Sequence, residues 1–366
     1  MTTPRLEIDL AKIHHNARLL VNFLGRRGIS VSAVTKAVMG IPSVARELLA
    51  AGVSGLADSR LENIQTMRHA KITAPITLIR SPMISQSVQV VENTDISLNS
   101  ELDIISELSK AAQALGRTHG VLLMVELGDL REGIMPTDLE NVVRRTLSFP
   151  NIVLKGIGTN LACRCGVVPD TANMSELSAL ANAIDATFGP VITIVSGGNS
   201  SNLEWVLGGA DTGRINNLRL GEAILLGCEP LYRQPIEGLY TDAITLIAEV
   251  IESKIKPTQP WGEIAETAFG KATPPSRIGS ISQAIFAVGH MDTDPEGLTP
   301  PPGMKILGSS SDHLIVDSGR DHLPIGTEIT FQLNYSALIR AMSSPFVTKK
   351  PFSQETASVH QLSVSA

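Results

Sequence analysis

The feature that most constrains this chain is an alternation. Short apolar, β-branched runs centre near Val31, Gly55, Ile76, Ile96, Leu122, Leu154, Ile192 and Leu218, and stretches of helical period separate most of them. Strands covered on both faces read as continuous apolar runs, and strands joined through helices lie parallel in one sheet. Eight such units over about 200 residues fit a closed (β/α)8 barrel of the TIM type, although an open doubly wound sheet carries the same alternation. The barrel is favoured because polar residues recur at one end of the strands: Lys36, Asp58-Ser-Arg60, Arg80, Asn99, Arg131, Asn160, Ser196-Gly-Gly-Asn-Ser-Ser201 and Arg219-Leu-Gly221. In barrels the C-terminal strand ends carry the chemistry. The clearest helices are predicted over Glu101–Gly116, with Asn99-Ser100 as the cap, and over Met174–Gly189, which ends on a glycine before Pro190.

After Pro235 the texture changes. Short β-like runs at Ala243–Val250, Ala284–Val288, Met304–Leu307, Leu314–Val316 and Glu328–Leu333, punctuated by Pro, Gly and Ser, predict a smaller all-β C-terminal domain over 235–350. The barrel is assigned to 1–234, with its extreme N-terminal strand paired to the C-terminal domain. Residues 351–366 lack a sustained period and read as a flexible tail.

Composition narrows the function classes. A net charge of −6, only 4% aromatic residues and no dense Lys/Arg stripe exclude an obvious nucleic-acid surface. Apolar runs such as Gly120–Val125 stop far short of the roughly 20 residues a membrane span needs, and the N-terminus lacks a basic segment followed by an apolar core. Cys163, Cys165 and Cys228 form an odd, sparse set that points to a reducing compartment, with the cytoplasm as the default. Cys163-Arg-Cys165 lacks the spacing of zinc pairs. Asp292-Thr-Asp294 and Asp312-His313 read as turn formers or arginine partners, so no metal is expected.

Three segments point to chemistry. Lys36 ends the first strand run and precedes Gly40 and the helical run Ile41–Leu49, which places an ammonium at the mouth of a parallel sheet, where lysine can lower its pKa and form a Schiff base. Ser196–Ser201 follows the apolar run Val191–Val195 and opens a helix, so its amides and hydroxyls, Asn199 and Ser200 among them, can face a phosphate. In Asn217-Leu-Arg-Leu-Gly-Glu222, Arg219 stands at a strand end, and Gly221 and Glu222 can lend backbone N–H groups to the same phosphate.

A lysine on the first strand, Asn-Ser after the seventh and Arg-X-Gly after the eighth, in that order, resemble the alanine racemase-like, fold-type III pyridoxal phosphate enzymes. The likeness spans nearly the whole chain. It is strongest to ornithine racemases and broad-specificity amino-acid racemases, through Ala57–Arg60, Leu127–Gly133, Gly156–Leu161, Ser196–Ser201, Asn217–Glu222, Asp292–Asp294 and Ser310–Asp317. The resemblance implies that Lys36 holds pyridoxal 5'-phosphate and later works as a catalytic base. Asn199, Ser200, Gly221 and Glu222 match phosphate-binding positions, and Arg219 matches the residue facing the pyridine nitrogen. Guanidinium cannot take up a further proton, so the ring is left a weaker electron sink, which suits a racemase. Arg131 matches a contact to the substrate carboxylate or to the opposing base, Asn160 a position against the ring, Tyr335 a tyrosine near the phosphate, and Asp312 a residue that orients substrate.

Racemisation removes a proton from one face of Cα and delivers one to the other, which calls for a second base. Where alanine racemases place a tyrosine of the partner subunit, this chain reads Val288-Gly-His-Met-Asp292, which makes His290 the candidate. Tyr335 and Cys163 are the reserves. The tyrosine that usually follows the lysine segment is also missing, with Met39-Gly40 in its place. The resemblance thus implies a homodimer with shared active sites. Asp58, Asp129, Glu222 and Asp312 suggest an acidic mouth and a basic substrate, ornithine or lysine. Alanine or broad-specificity racemisation, or D-amino-acid aldolase or dehydratase chemistry, is the alternative.

Overall fold

The computed structural model describes residues 3–266, 268–269, 278–319 and 322–353. The chain divides into two compact units, residues 10–241 and residues 1–9 with 242–366. No helix among the described residues is long and apolar enough to cross a membrane.

Strand β1 (Arg5–Asp9) belongs to the second unit, and helix α1 (Leu10–Gly25) opens the first. The first unit then alternates β2 (Ser30–Val34), α2 (Pro42–Ala50), β3 (Gly55–Asp58), α3 (Leu61–His69), β4 (Ile76–Leu78), α4 (Ser87–Asn93), β5 (Ile96–Asn99) and α5 (Leu102–Ala114). It continues with β6 (His119–Met124), α6 (Leu139–Ser148), β7 (Ile152–Gly158), α7 (Thr171–Phe188), β8 (Ile194–Ser196), α8 (Asn202–Leu207), β9 (Asn217–Leu220) and α9 (Glu222–Leu226). Strands β2 to β9 pair in parallel and close through β2 and β9, Ser30 to Ala33 facing Asn217 to Leu220, into the expected barrel. Strand β6 is buried throughout because both of its faces are covered. Val121, Leu123 and Val125 pack under Leu139, Val143 and Leu177, whereas Leu122 and Met124 join Leu98 in a separate cluster.

Three local differences from the sequence reading have physical causes. The seventh barrel strand starts at Ile194 rather than near Ile192, because the Asp185 carboxylate accepts the N–H groups of Val191 and Ile192 at 3.0 and 2.9 Å and diverts them from a ladder. Helix α7 begins at Thr171, where Asp170 and Asn173 form a reciprocal capping box. Helix α5 is capped at Glu101 without a side-chain bond, and Asn99 instead donates to Ser97 O and Oγ at 2.9 and 3.0 Å.

The first unit runs on past the expected boundary at residue 234. The segment after α9 turns back on the barrel: Ile236 N donates to Gly227 O at 2.8 Å, and Asn16 exchanges hydrogen bonds with the Tyr240 backbone at 2.9 and 2.8 Å.

The second unit holds β10 (Ile244–Pro257), β11 (Ser280–Phe286), β12 (Leu298–Thr299), β13 (Lys305–Ser309), β14 (Leu314–Asp317) and β15 (Glu328–Leu333) in the order β12-β15-β10-β11-β14-β13. Strand β1 pairs antiparallel with β10 and parallel with β16 (Thr348–Phe352), and Arg5 clamps Glu328 through two bonds of 2.7 Å. Residue 351, the expected start of a tail, lies inside β16; 354–366 lie outside the described residues. Helix α10 (Tyr335–Ser343) also departs from an all-β reading: Asn334 caps it by accepting from Ala337 N, and Leu338, Ala341 and Met342 form its buried face.

Candidate active site

Strand β2 ends at Val34, and Lys36 begins a single 3-10 turn, Lys36–Val38. That turn is pinned from two sides. Buried Thr35 donates its hydroxyl to Asp58 Oδ2 at 2.7 Å, and the same carboxylate accepts from Arg60 N at 2.9 Å and Asn63 Nδ2 at 3.0 Å. Burial pushes the Asp58 carboxyl up, while these hydrogen bonds pull it down. Gly40, at φ +64°, lies so close to α3 that a Cβ there would come within 2.7 Å of Asn63 O.

The ends of β8 and β9 meet β2 at the same mouth. Gly198, at φ +146°, leaves room for Asn202, whose Oδ1 a Cβ would approach to 2.2 Å and which accepts Asn199 N at 3.1 Å. Asn199 Oδ1 accepts Ser201 N at 2.8 Å, and its Nδ2 donates to Asn160 Oδ1 at 3.1 Å and Leu161 O at 3.0 Å. Ser200 Oγ accepts Ala223 N at 3.2 Å, and Arg219 N donates to Gly198 O at 2.9 Å, so the Gly-Gly-Asn-Ser-Ser loop and the Arg-Leu-Gly-Glu turn are tied together. Gly221 completes the junction, since a Cβ on it would lie 3.1 Å from Val34 Cβ. Lys36, Asn199, Ser200, Arg219, Gly221 and Glu222 are thus gathered at three strand ends. The buried Ser201 Oγ has no hydrogen-bond partner among the described residues.

Arg219 is 6% exposed and donates to Ser196 Oγ, to Thr159 O at 2.7 Å and to Asn160 Oδ1 at 3.5 Å. Burial, and then the charge of Arg131, lower its pKa to about 10 against the pull of Glu132. It therefore keeps its proton at neutral pH and offers donors only. Asn217 Oδ1 accepts from Ser196 Oγ at 2.7 Å, which ties the two strand ends beside the guanidinium.

Arg131 stands on a loop built by carboxylates. Glu126 accepts the N–H groups of Gly128, Leu130 and Arg131 at 2.6 to 3.1 Å. Asp129, 1% exposed, accepts the N–H groups of Cys163, Arg164 and Cys165 at 3.0 to 3.2 Å and lies 3.9 Å from Arg131 Nε. Arg131 Nη1 also meets Glu132 at 3.1 Å. Cys163 and Cys165 flank this junction as exposed free thiols, and no group of three or more metal-ligating side chains occurs among the described residues.

The acidic mouth inferred from the sequence needs correction. Asp58 and Asp129 are organised by buried hydrogen bonds within the chain, and Glu222 makes an ion pair with Arg233. These three carboxylates are engaged within the chain, and of the four only Asp312 is exposed.

The remaining candidates belong to the β-rich unit. His290 lies on the loop after β11, with Nε2 2.9 Å from Ser309 Oγ and its ring stacked on Phe269 at a centroid distance of 4.0 Å. Gly289 makes this possible: a Cβ there would lie 2.4 Å from Ser311 O, so the 287–294 loop rests directly on the 309–313 loop that carries exposed Asp312. Asp292 accepts Gly289 N at 3.0 Å, and burial, then the charge of Asp312, raise its pKa. Tyr335 is the first residue of α10.

Sequence reading missed Thr159, whose carbonyl holds Arg219, as well as Asn202 and Glu126. The Asn three residues after Asn199 was a legible turn signal. The other two make their bonds through closure of the barrel or through a loop folded on itself, and no spacing reports that.

The alanine racemase N-terminal domain family matches residues 8–230, and the chain belongs to it. The ornithine racemase of Acetoanaerobium sticklandii is 38% identical over 351 residues, covering 95% of this chain and 99% of that protein. The lysine racemase of Thermotoga maritima is 35% identical over 351 residues, covering 95% and 98%. Among solved structures, an alanine racemase from Streptomyces coelicolor A3(2) shares the fold with a TM-score of 0.75 at 19% identity, covering 95% of this chain and 97% of that one.

Proposed function

We propose that this chain interconverts the L- and D-forms of a basic amino acid, ornithine or lysine, with pyridoxal 5'-phosphate as its cofactor. The reaction class, amino-acid racemisation, follows from membership of the alanine racemase family together with two racemase relatives that match 95% of the chain. The observation that carries the substrate reading is that those two relatives are an ornithine and a lysine racemase.

The fit of the barrel mouth to the cofactor is supported by Gly198, where a Cβ would fill the loop, by the buried hydroxyl of Ser201 and by a buried guanidinium that offers only donors. When bound, pyridoxal 5'-phosphate acidifies the α-proton of an attached amino acid. Lys36 would hold it and act as one base. Asn199, Ser200, Gly221 and Glu222 would bind its phosphate, a role for which Tyr335 is the further candidate, and Arg219 would face its ring nitrogen. Arg131 would receive the substrate carboxylate. His290, contributed by the second chain of a homodimer, would exchange a proton on the opposite face of Cα, and Asp312 beside it would orient the substrate. Free thiols at Cys163, Cys165 and Cys228 suit a cytoplasmic location.

Incubating the purified protein and cofactor with L-ornithine, L-lysine and L-alanine, followed by chiral chromatography, tests the reading. A higher kcat/KM for ornithine or lysine is expected. A preference for alanine would make this a small-residue racemase. Mixing inactive Lys36→Ala and His290→Ala chains should restore part of the activity if each site draws on two chains.

A further inference from the structure

We propose that Arg233 is the counter-charge that lets the turn at residues 221–222 accept a phosphate despite the carboxylate of Glu222. The inference rests on the reading that pyridoxal 5'-phosphate is the cofactor and that this turn helps to hold its phosphate.

A glutamate is electrostatically unfavourable at such a position, because its side chain and the phosphate are both anions. The Glu222 side chain is only 15% exposed, so water and salt screen that repulsion weakly. Its carboxylate makes an ion pair with the Arg233 guanidinium and also lies within the field of Lys36. Arg233 is the cation in direct ion-pair contact with that carboxylate.

The loop that carries Arg233 is built to deliver it. Glu229, 8% exposed, accepts the N–H groups of Leu231 at 2.6 Å, Tyr232 at 3.0 Å and Gln234 at 2.8 Å, and its own N–H donates to Gln234 O at 3.0 Å. Arg233 itself sits at φ +62°, a left-handed conformation that residues with a side chain seldom adopt. The closed loop imposes that conformation and brings the guanidinium to Glu222. Its side chain is 59% exposed, so its replacement leaves no cavity in the fold.

The test compares two ligands that differ only in the phosphate. The full-length protein, freed of bound cofactor with hydroxylamine, is titrated by fluorescence with pyridoxal 5'-phosphate and with pyridoxal. Arg233→Met is expected to weaken pyridoxal 5'-phosphate about tenfold and pyridoxal by less than about twofold. Adding Glu222→Gln to that variant removes the unbalanced anion and is expected to return the affinity for the phosphorylated ligand to within about threefold of the original. An unchanged affinity in Arg233→Met, an equal loss for both ligands, or no recovery in the double variant overturns the proposal. An unaltered chain that binds neither ligand overturns the cofactor reading beneath it, which is a separate and recognisable failure.

Discussion

At the barrel mouth, candidate side chains are already held in place: Arg219 by Ser196, Thr159 and Asn160, Asn199 by Asn160 and Leu161, and Thr35 by Asp58. The 287–294 and 309–313 loops of the β-rich unit are built differently. There the backbone is clamped through Gly289, but His290 is half-buried, with a serine and an aromatic ring as neighbours, and Asp312 is exposed. The first arrangement suits a group that must stay fixed with respect to a cofactor, because preorganised partners cost nothing at the moment of reaction. The second leaves its side chains partly or fully open to solvent, so they are held by fewer partners than those of the mouth. Within one chain, densely and sparsely hydrogen-bonded candidate residues fall in different units.

That contrast can be broken most severely at Lys36. Lys36→Ala is expected to lower kcat for racemisation about 10³-fold or more, and borohydride reduction should fix the cofactor to Lys36 in the unaltered protein and nowhere in the variant. An imine trapped at another lysine of the unaltered protein would move the centre of the mouth elsewhere.

His290 sharpens the comparison. His290→Gln should reduce turnover about 10²-fold in both directions, read by chiral chromatography from each enantiomer, with cofactor affinity unchanged. Full activity would return attention to Tyr335 and Cys163.

A smaller effect is expected at Asp129, which ties the Arg131 loop to the 163–165 backbone. Asp129→Asn turns an amide donor toward N–H groups that need an acceptor, so KM should rise about tenfold while kcat changes less than KM. Steady-state kinetics separates the two. Equal losses in both parameters would mean the loop supports the whole site rather than substrate binding.

The smallest effect on the reaction is expected far from the mouth. His119 is 1% exposed, bonds Ser97 Oγ through Nε2 at 2.8 Å, and is lowered from 6.5 to about 4 by burial, against a small opposing pull from Asp95. Between those two values the unfolded chain binds a proton that the folded chain refuses, so stability falls as pH drops from about 6.5 to about 4 and loses nothing more below that from this group. The expected total is about 3 kcal/mol. Urea unfolding at pH 7 and pH 5 should show about 2 kcal/mol of this loss in the unaltered protein and a flatter profile in His119→Leu, with turnover at neutral pH unaffected.

The alternation of apolar runs and helical periods was enough to specify eight strand–helix units, because a period is a local property of neighbouring residues and survives without knowledge of the fold, whereas the choice of a closed barrel rested on the polar residues that recur at one end of the strands. Lys36 at the end of a strand and the Gly-Gly-Asn-Ser-Ser turn were legible for the same reason. Helix α10 was legible too, with Asn334 as its cap and Leu338, Ala341 and Met342 on one face, but its short period was hidden among strands. What only the tertiary structure decided is which buried polar groups satisfy one another. Arg219 finds partners at Thr159, Asn160 and Ser196 only because the barrel closes, and Asp129 faces residues 163–165 because two loops fold together. Three of the four carboxylates that looked in sequence like an acidic mouth, Asp58, Asp129 and Glu222, are engaged within the chain. A buried charge takes whatever donors the fold brings within about 3 Å, and that geometry is set by chain closure rather than by the residue's neighbours in sequence.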